Sequence, residues 1–133
     1  MELVTAEPIN PAAMYDLLAT RTAGSVLLHY AVVKEHHVKG KTTIAILYEP
    51  AGDIKENLAS IGADLCSRWN LQDTLLVRRS GRVGIGEIIS LVAVSATASE
   101  DAFAACKFAI ECLKKMPTIK KSEVFECASE AGA

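Results

Sequence analysis

RSGRVGIGEIISLVAVSATASEDAFAACKFAIECLKKMPTIKKSE, residues Arg79–Glu123, sets the architecture of the chain. It opens on glycines, runs through a long apolar segment, restarts at a polar capping segment, and ends in lysines on both sides of a proline. Glu87 to Ala96 is nearly continuous in apolar and β-branched residues, which predicts a strongly buried strand. Gly81, Gly84 and Gly86 precede it. They are not a dinucleotide fingerprint, because a strand follows where a helix is required. Turn chemistry explains them better. Thr97 and Ser99 both offer side-chain caps to a following helix, and Glu100 and Asp101 suit the positive end of its dipole. Phe103, Cys106, Ile110 and Leu113 recur at helical spacing and form the expected buried stripe. Lys114 and Lys115 fall at the C-terminal end, where cations are favoured, and Pro117 stops the helix. Thr118 to Cys127 reads as extended, and the last six residues, 128–133, as a frayed tail.

Upstream, residues 2–5 fit a short strand. Asn10-Pro11 reads as a helix start, with asparagine as N-cap and proline in the first turn. Met14, Leu17 and Leu18 would face the core, and Gly24 closes this region. Ser25 to Lys34, SVLLHYAVVK, predicts a central strand buried on both faces. His29 lies inside it and reads as a core histidine with a hydrogen-bond partner rather than a catalytic group. Glu35 to Lys41 is polar and predicts a loop. Its neighbours His36 and His37 would point to opposite sides of an extended chain, so they make a poor metal pair. Thr42 to Glu49 is a further strand, broken by Pro50-Ala51-Gly52. Asp53 then starts a helix, with Glu56 three residues on as in a capping box. Ile54, Leu58, Ile61 and Leu65 form its apolar stripe, which Trp69 extends by a turn. Asp73 to Arg79 completes the strands.

The 133 residues fit one domain, and with half of them hydrophobic a packed core is expected. A net charge of −2 argues against a broad nucleic-acid surface, though not against a local basic pocket. None of the four cysteines is spaced C-x-x-C, so zinc or thioredoxin-type chemistry is poorly supported. Cys66, Cys106 and Cys112 lie in helical patterns and read as buried thiols. The N-terminus has neither a basic nor an apolar signal region, and no apolar run reaches the length of a membrane span. A soluble, cytoplasmic protein is the expectation.

Chemistry concentrates at Lys114, Lys115, Lys120 and Lys121, which flank Pro117 in an otherwise acidic chain. One reading is a helix end followed by solvated charge. The other is a pocket for a phosphorylated or carboxylated ligand, where lysine serves as a point charge, or as base or nucleophile when desolvated. An extended segment after Pro117 could turn Lys120 back toward the helix end.

These residues also resemble the large, catalytic subunit family of molybdopterin synthase, over nearly the whole chain. EPINPAAMYDLLATRTAGSVLLHY is similar to that family's opening helix and first strand. Arg79-x-Gly81, with Gly86-Glu87, is similar to its glycine hairpin. Ala102-Phe103-x-Ala105, with Ile110-x-x-Leu113-Lys114, is similar to its long helix, and Pro117-x-x-Lys120-Lys121-x-Glu123 to its ending. The resemblance implies an α+β domain with a mixed, mostly antiparallel sheet and packed helices, the α/β-hammerhead fold. It implies transfer of sulfur to cyclic pyranopterin monophosphate, a pterin substrate, from the thiocarboxylate of a small ubiquitin-like partner. It also implies a homodimer of large subunits within a heterotetramer, and neither a metal nor a permanently bound cofactor. Lys114 and Lys120 would be the catalytic amines, and Lys34, Ser99, Lys121 and Ser122 would bind substrate. The family's His-Arg pair before the long helix is Ala98-Ser99 here, its strand-end arginine is Lys34, and its tryptophan before the second lysine is Ile119. The segment between helix and proline is one residue shorter, which lets Lys115 compete with Lys114 for register. Changes that gather at the site and spare the scaffold leave an alternative open: a paralogue that binds the ubiquitin-like partner or a phosphorylated ligand without turnover.

Overall fold

The computed structural model describes residues 1–127. In chain order the elements are β1 (Glu2–Thr5), α1 (Pro11–Tyr15), β2 (Ser25–Val32), β3 (His36–Val38), β4 (Lys41–Pro50), α2 (Ile54–Arg68), β5 (Asp73–Arg79), β6 (Gly81–Gly84), β7 (Ile88–Ala96), α3 (Ser99–Lys114) and β8 (Ile119–Cys127). They form two four-stranded sheets. The first has the order β1-β5-β7-β2, with β1 parallel to β5 and the other pairs antiparallel. The second is built on β4. Strand β8 runs along one edge of it from Lys41 to Pro50, while β3 and β6 divide the other edge. The mixed, largely antiparallel α+β architecture is the one expected.

Strands β5 and β7 are the interior of the molecule because they bury both faces. Leu76, Val92 and Val94 meet Leu58, Leu65, Ala105 and Ala109 of α2 and α3 on one side. On the other, Leu75, Val77, Leu91 and Ala93 meet Ile9 and Leu18 from the segment around α1. A third, smaller cluster of Val33, Ile46, Tyr48 and Val83 sits where the two sheets adjoin.

Helix α2 begins as expected, with the Asp53 carboxylate accepting from the Glu56 amide at 3.0 Å. Asn10 likewise caps α1, accepting from Ala12 at 3.0 Å. Other expectations need correction. Ser25–Lys34 is not a central strand: β2 lies at the sheet edge, with Tyr30 and Val32 45% and 46% exposed. Apolar content alone does not reveal strand order. Glu35–Lys41 is not a simple loop: β3 and β4 close on Lys39-Gly40, both at positive φ, the geometry that suits a two-residue hairpin. Of the glycines, Gly81 to Gly84 form β6, and the turn falls at Ile85-Gly86.

Leu17 is exposed rather than in the core, because α1 ends at Tyr15. Trp69 does not lengthen the α2 stripe. It is the C-cap in extended backbone, and its ring meets Phe108 of α3 edge-on at 5.5 Å. Neither Thr97 nor Ser99 caps α3: the N-cap is Ala98, which brings no side-chain hydrogen bond. Phe103 is 64% exposed. The buried face of α3 is instead Ala102, Ala105, Cys106, Ala109 and Leu113, whose small side chains let the helix lie close to the sheet. Cys106 is buried as expected, but Cys66 is exposed and Cys112 only half-buried. The tail at 128–133 lies outside the described residues.

Candidate functional site

A cavity of about 810 Å³ opens at the seam between the two sheets, beside the C-terminal end of α3. Each wall delivers its polar groups for a local reason. From the end of α3 comes Lys114. From the segment leaving β2 comes Lys34, and from the C-terminal end of β5 comes Arg78. In β8 the alternation of side chains sends Ile119, Lys121 and Glu123 into the cavity. Thr43 and Tyr48 of β4 and Ser90 of β7 add hydroxyls. Three lysines and one arginine therefore face a space that contains one carboxylate, Glu123.

Lys34, Lys114 and Lys121 thus share one cavity, although Lys34 and Lys121 are separated by most of the chain. Lys120 and Ser122 do not line it: they occupy alternate positions of β8, and Lys120 is exposed opposite Glu49. The expected pairing of Lys114 with Lys120 in one cleft is therefore not the arrangement found. Strand parity brings in Lys121 instead. Lys115, the C-cap of α3, also stays outside the lining. Ser99 is the first residue of α3, and a helix of 16 residues puts it about 24 Å from the lysine end. Within one chain it cannot reach this cavity.

Arg78 is the residue that sequence reasoning passed over. It is only 7% exposed, its Cζ lies 4.7 Å from the centre of the Tyr48 ring, and it forms no ion pair or hydrogen bond among the described residues. Burial lowers the pKa of its guanidinium, opposed by the nearby Tyr48, and burial raises the Tyr48 phenol, opposed by Arg78. One signal was available. Thr74, Leu76 and Arg78 share a face of β5, and Leu76 packs under the helices, so Arg78 had to end on the covered side.

Its neighbour Arg79 does structural work on the opposite face. It donates to the carbonyls of Ala6 and Arg82, each at 3.2 Å, and to the Glu87 carboxylate at 3.3 Å. Glu87 also accepts from the Gly84 amide at 3.2 Å. The arginine and glutamate of the glycine hairpin are therefore a clamp that fixes β6 and its turn against β5. Among the described residues, no group of three or more His, Cys, Asp or Glu could hold a metal ion, and no helix is long and apolar enough to cross a membrane.

The result is an α+β fold in which both sheets bring basic side chains to one cleft of about 810 Å³. This chain belongs to the MoaE family, whose model matches residues 4–116. The molybdopterin synthase catalytic subunit of Staphylococcus aureus (strain COL) is 33% identical over 130 residues, covering 97% of this chain and 86% of that protein. The catalytic subunit of Bacillus subtilis is 31% identical over 124 residues, covering 92% and 78%. The crystal structure of molybdopterin synthase from Staphylococcus aureus superposes with a TM-score of 0.84 at 31% identity, over 92% of this chain and 90% of that one. A complex of subunits 1 and 2 of molybdopterin-converting factor from Helicobacter pylori shares the fold, with a TM-score of 0.72 at 11% identity, over 92% and 83%.

Proposed function

We propose that this chain is the sulfur-transferring large subunit of a molybdopterin synthase, acting in molybdenum cofactor biosynthesis. The observation that carries the reading is the convergence of Lys34, Arg78, Lys114 and Lys121 on one cavity. Both reactants are anions: a cyclic pyranopterin monophosphate and the C-terminal thiocarboxylate of a small ubiquitin-like partner subunit. In the proposed reaction the thiocarboxylate sulfur forms a bond to a pterin side-chain carbon as that carbon's bond to a cyclic phosphate oxygen breaks, and the electron pair leaves on the phosphate. Water then cleaves the acyl carbon–sulfur bond, and the partner leaves as an ordinary carboxylate. Lys114, at the mouth of the cavity, is the amine placed to move protons or to attack the acyl carbon. Lys34, Lys121 and Arg78 hold negative charge as it shifts between sulfur and oxygen. Lys120, exposed on the neighbouring face of β8, is assigned no contact with the reacting atoms. The exposed apolar groups Tyr30 and Val32 on the β2 edge, and Phe103 on α3, suit the pairing of two large subunits.

The bare N-cap of α3, where Ala98 and Ser99 stand, favours a second reading in which the partner and the phosphate bind without turnover. One reconstitution separates the two. The purified chain is mixed with thiocarboxylated partner and pyranopterin precursor, and dithiolene product is expected. Its absence, with partner binding intact, would overturn sulfur transfer and leave the binding protein.

A further inference from the structure

We propose that Arg78 is the deep anchor of the seam cavity, binding an oxyanion, either a phosphate monoester or a terminal carboxylate. Two buried side-chain atoms among the described residues lack a hydrogen-bond partner: Arg78 Nε and Thr43 Oγ1. Both belong to residues that line this one cavity. A buried cation without an anion is destabilising by itself, so its retention needs a compensating role. No carboxylate among the described residues supplies the anion. Glu123 shares the cavity but makes no ion pair with Arg78. The Tyr48 ring lies 4.7 Å from Cζ, and no hydrogen bond or ion pair engages the Arg78 side chain among the described residues.

The guanidinium fork is the feature lysine lacks. Guanidinium presents parallel donors that match two oxygens of a phosphate or carboxylate, whereas ammonium serves as a point charge. The geometry divides the labour. Lys34, Lys114 and Lys121 are exposed at the rim and attract the anion. Arg78, fixed in β5 opposite Ser90 of β7, orients it, with the Thr43 hydroxyl as a further partner. The inference deepens the sulfur-transfer reading by naming the residue that holds a reactant's anionic group, but it is tested by binding alone.

The purified chain is titrated at low ionic strength with inorganic phosphate, and separately with a short peptide ending in a free glycine carboxylate. Arginine Nε–H resonances are followed in the same samples. The Arg78 resonance should move with at least one of the two ligands, and the responding ligand identifies the source of the oxyanion. Arg78→Met should weaken that ligand tenfold or more. It should not lower the melting temperature, because it removes an unpaired buried charge. Arg78→Lys should recover part of the affinity only. A purely structural arginine gives the opposite pattern: lower stability and affinity within twofold of wild type. That result would overturn the proposal, as would an Arg78 resonance unmoved at saturating concentrations of both ligands, a readout that needs no variant to fold. Loss of turnover with this binding intact would instead count against sulfur transfer and leave the anchor standing.

Discussion

At the scale of single residues, one position decides whether a lysine enters the seam cavity. Lys121 points into the seam cavity and Lys120 does not, because adjacent residues of a strand face opposite ways. Lys121→Ala is expected to raise KM for the phosphorylated precursor about tenfold, the loss of a charged contact worth about 1.4 kcal/mol. Lys114→Ala should lower kcat by about 100-fold or more, the usual scale for removing a proton-transfer group. Lys120→Ala should fall well short of both in steady-state kinetics. A Lys120 variant as damaged as Lys114→Ala would mean that β8 changes register in the working complex. The lysine cluster was legible as a chemical feature, since charge of one sign collected around Pro117. Its division into inward and outward members was not, because parity depends on where the strand begins. Arg78 was harder still. Its companion Tyr48 is thirty positions away in another sheet, and only folding shows that the guanidinium has no anionic partner among the described residues.

Among the elements, strong periodic signals came through and strand order did not. The α2 stripe, the doubly buried β7 and the Asp53 cap follow from spacing and composition that no tertiary contact had to override. Strand β2 is as apolar as an interior strand yet lies at an edge, since hydrophobicity measures burial demand and not neighbours. Phe103 falls within the helical spacing of the expected buried stripe, but the alanines of α3 pack closer to the sheet and turn the aromatic ring outward. The uncapped start of α3 offers a direct test of helix-end physics. Ala98→Asp supplies an acceptor for the free amides and a negative charge at the positive end of the dipole. It should stabilise the chain by about 1 kcal/mol in urea unfolding. No gain would mean that those amides already have partners in solution.

For the whole molecule, the ionisable groups sealed in the interior set its tolerance of base. Burial raises the Cys106 thiol above its ordinary 9.0 and the Tyr48 phenol above 10.0. Each group holds its proton more tightly when folded. The stability this provides is complete below the unfolded values, and is lost as pH climbs through the folded ones. Thermal midpoints should therefore decline from about pH 9 upward. Cys106→Ala should flatten the first part of that decline. Its packing cost shifts the whole curve without altering the slope, so the slope is the readout. Cys112, also raised but closer to solvent, should matter less. A slope unchanged in Cys106→Ala would remove that thiol from the account.

The pocket also has a timetable. Lys34, Arg78 and Lys114 leave the ribosome before β8, which contributes the wall bearing Lys121 and Glu123 and runs along β4 from a segment nearly eighty residues earlier. Because domains emerge N-terminal end first, a partly synthesised chain can assemble its β5–β7 interior while the cleft remains a notch open to water. The cleft is therefore completed late in biogenesis, when this strand docks, and a half-made subunit offers only an open notch in its place.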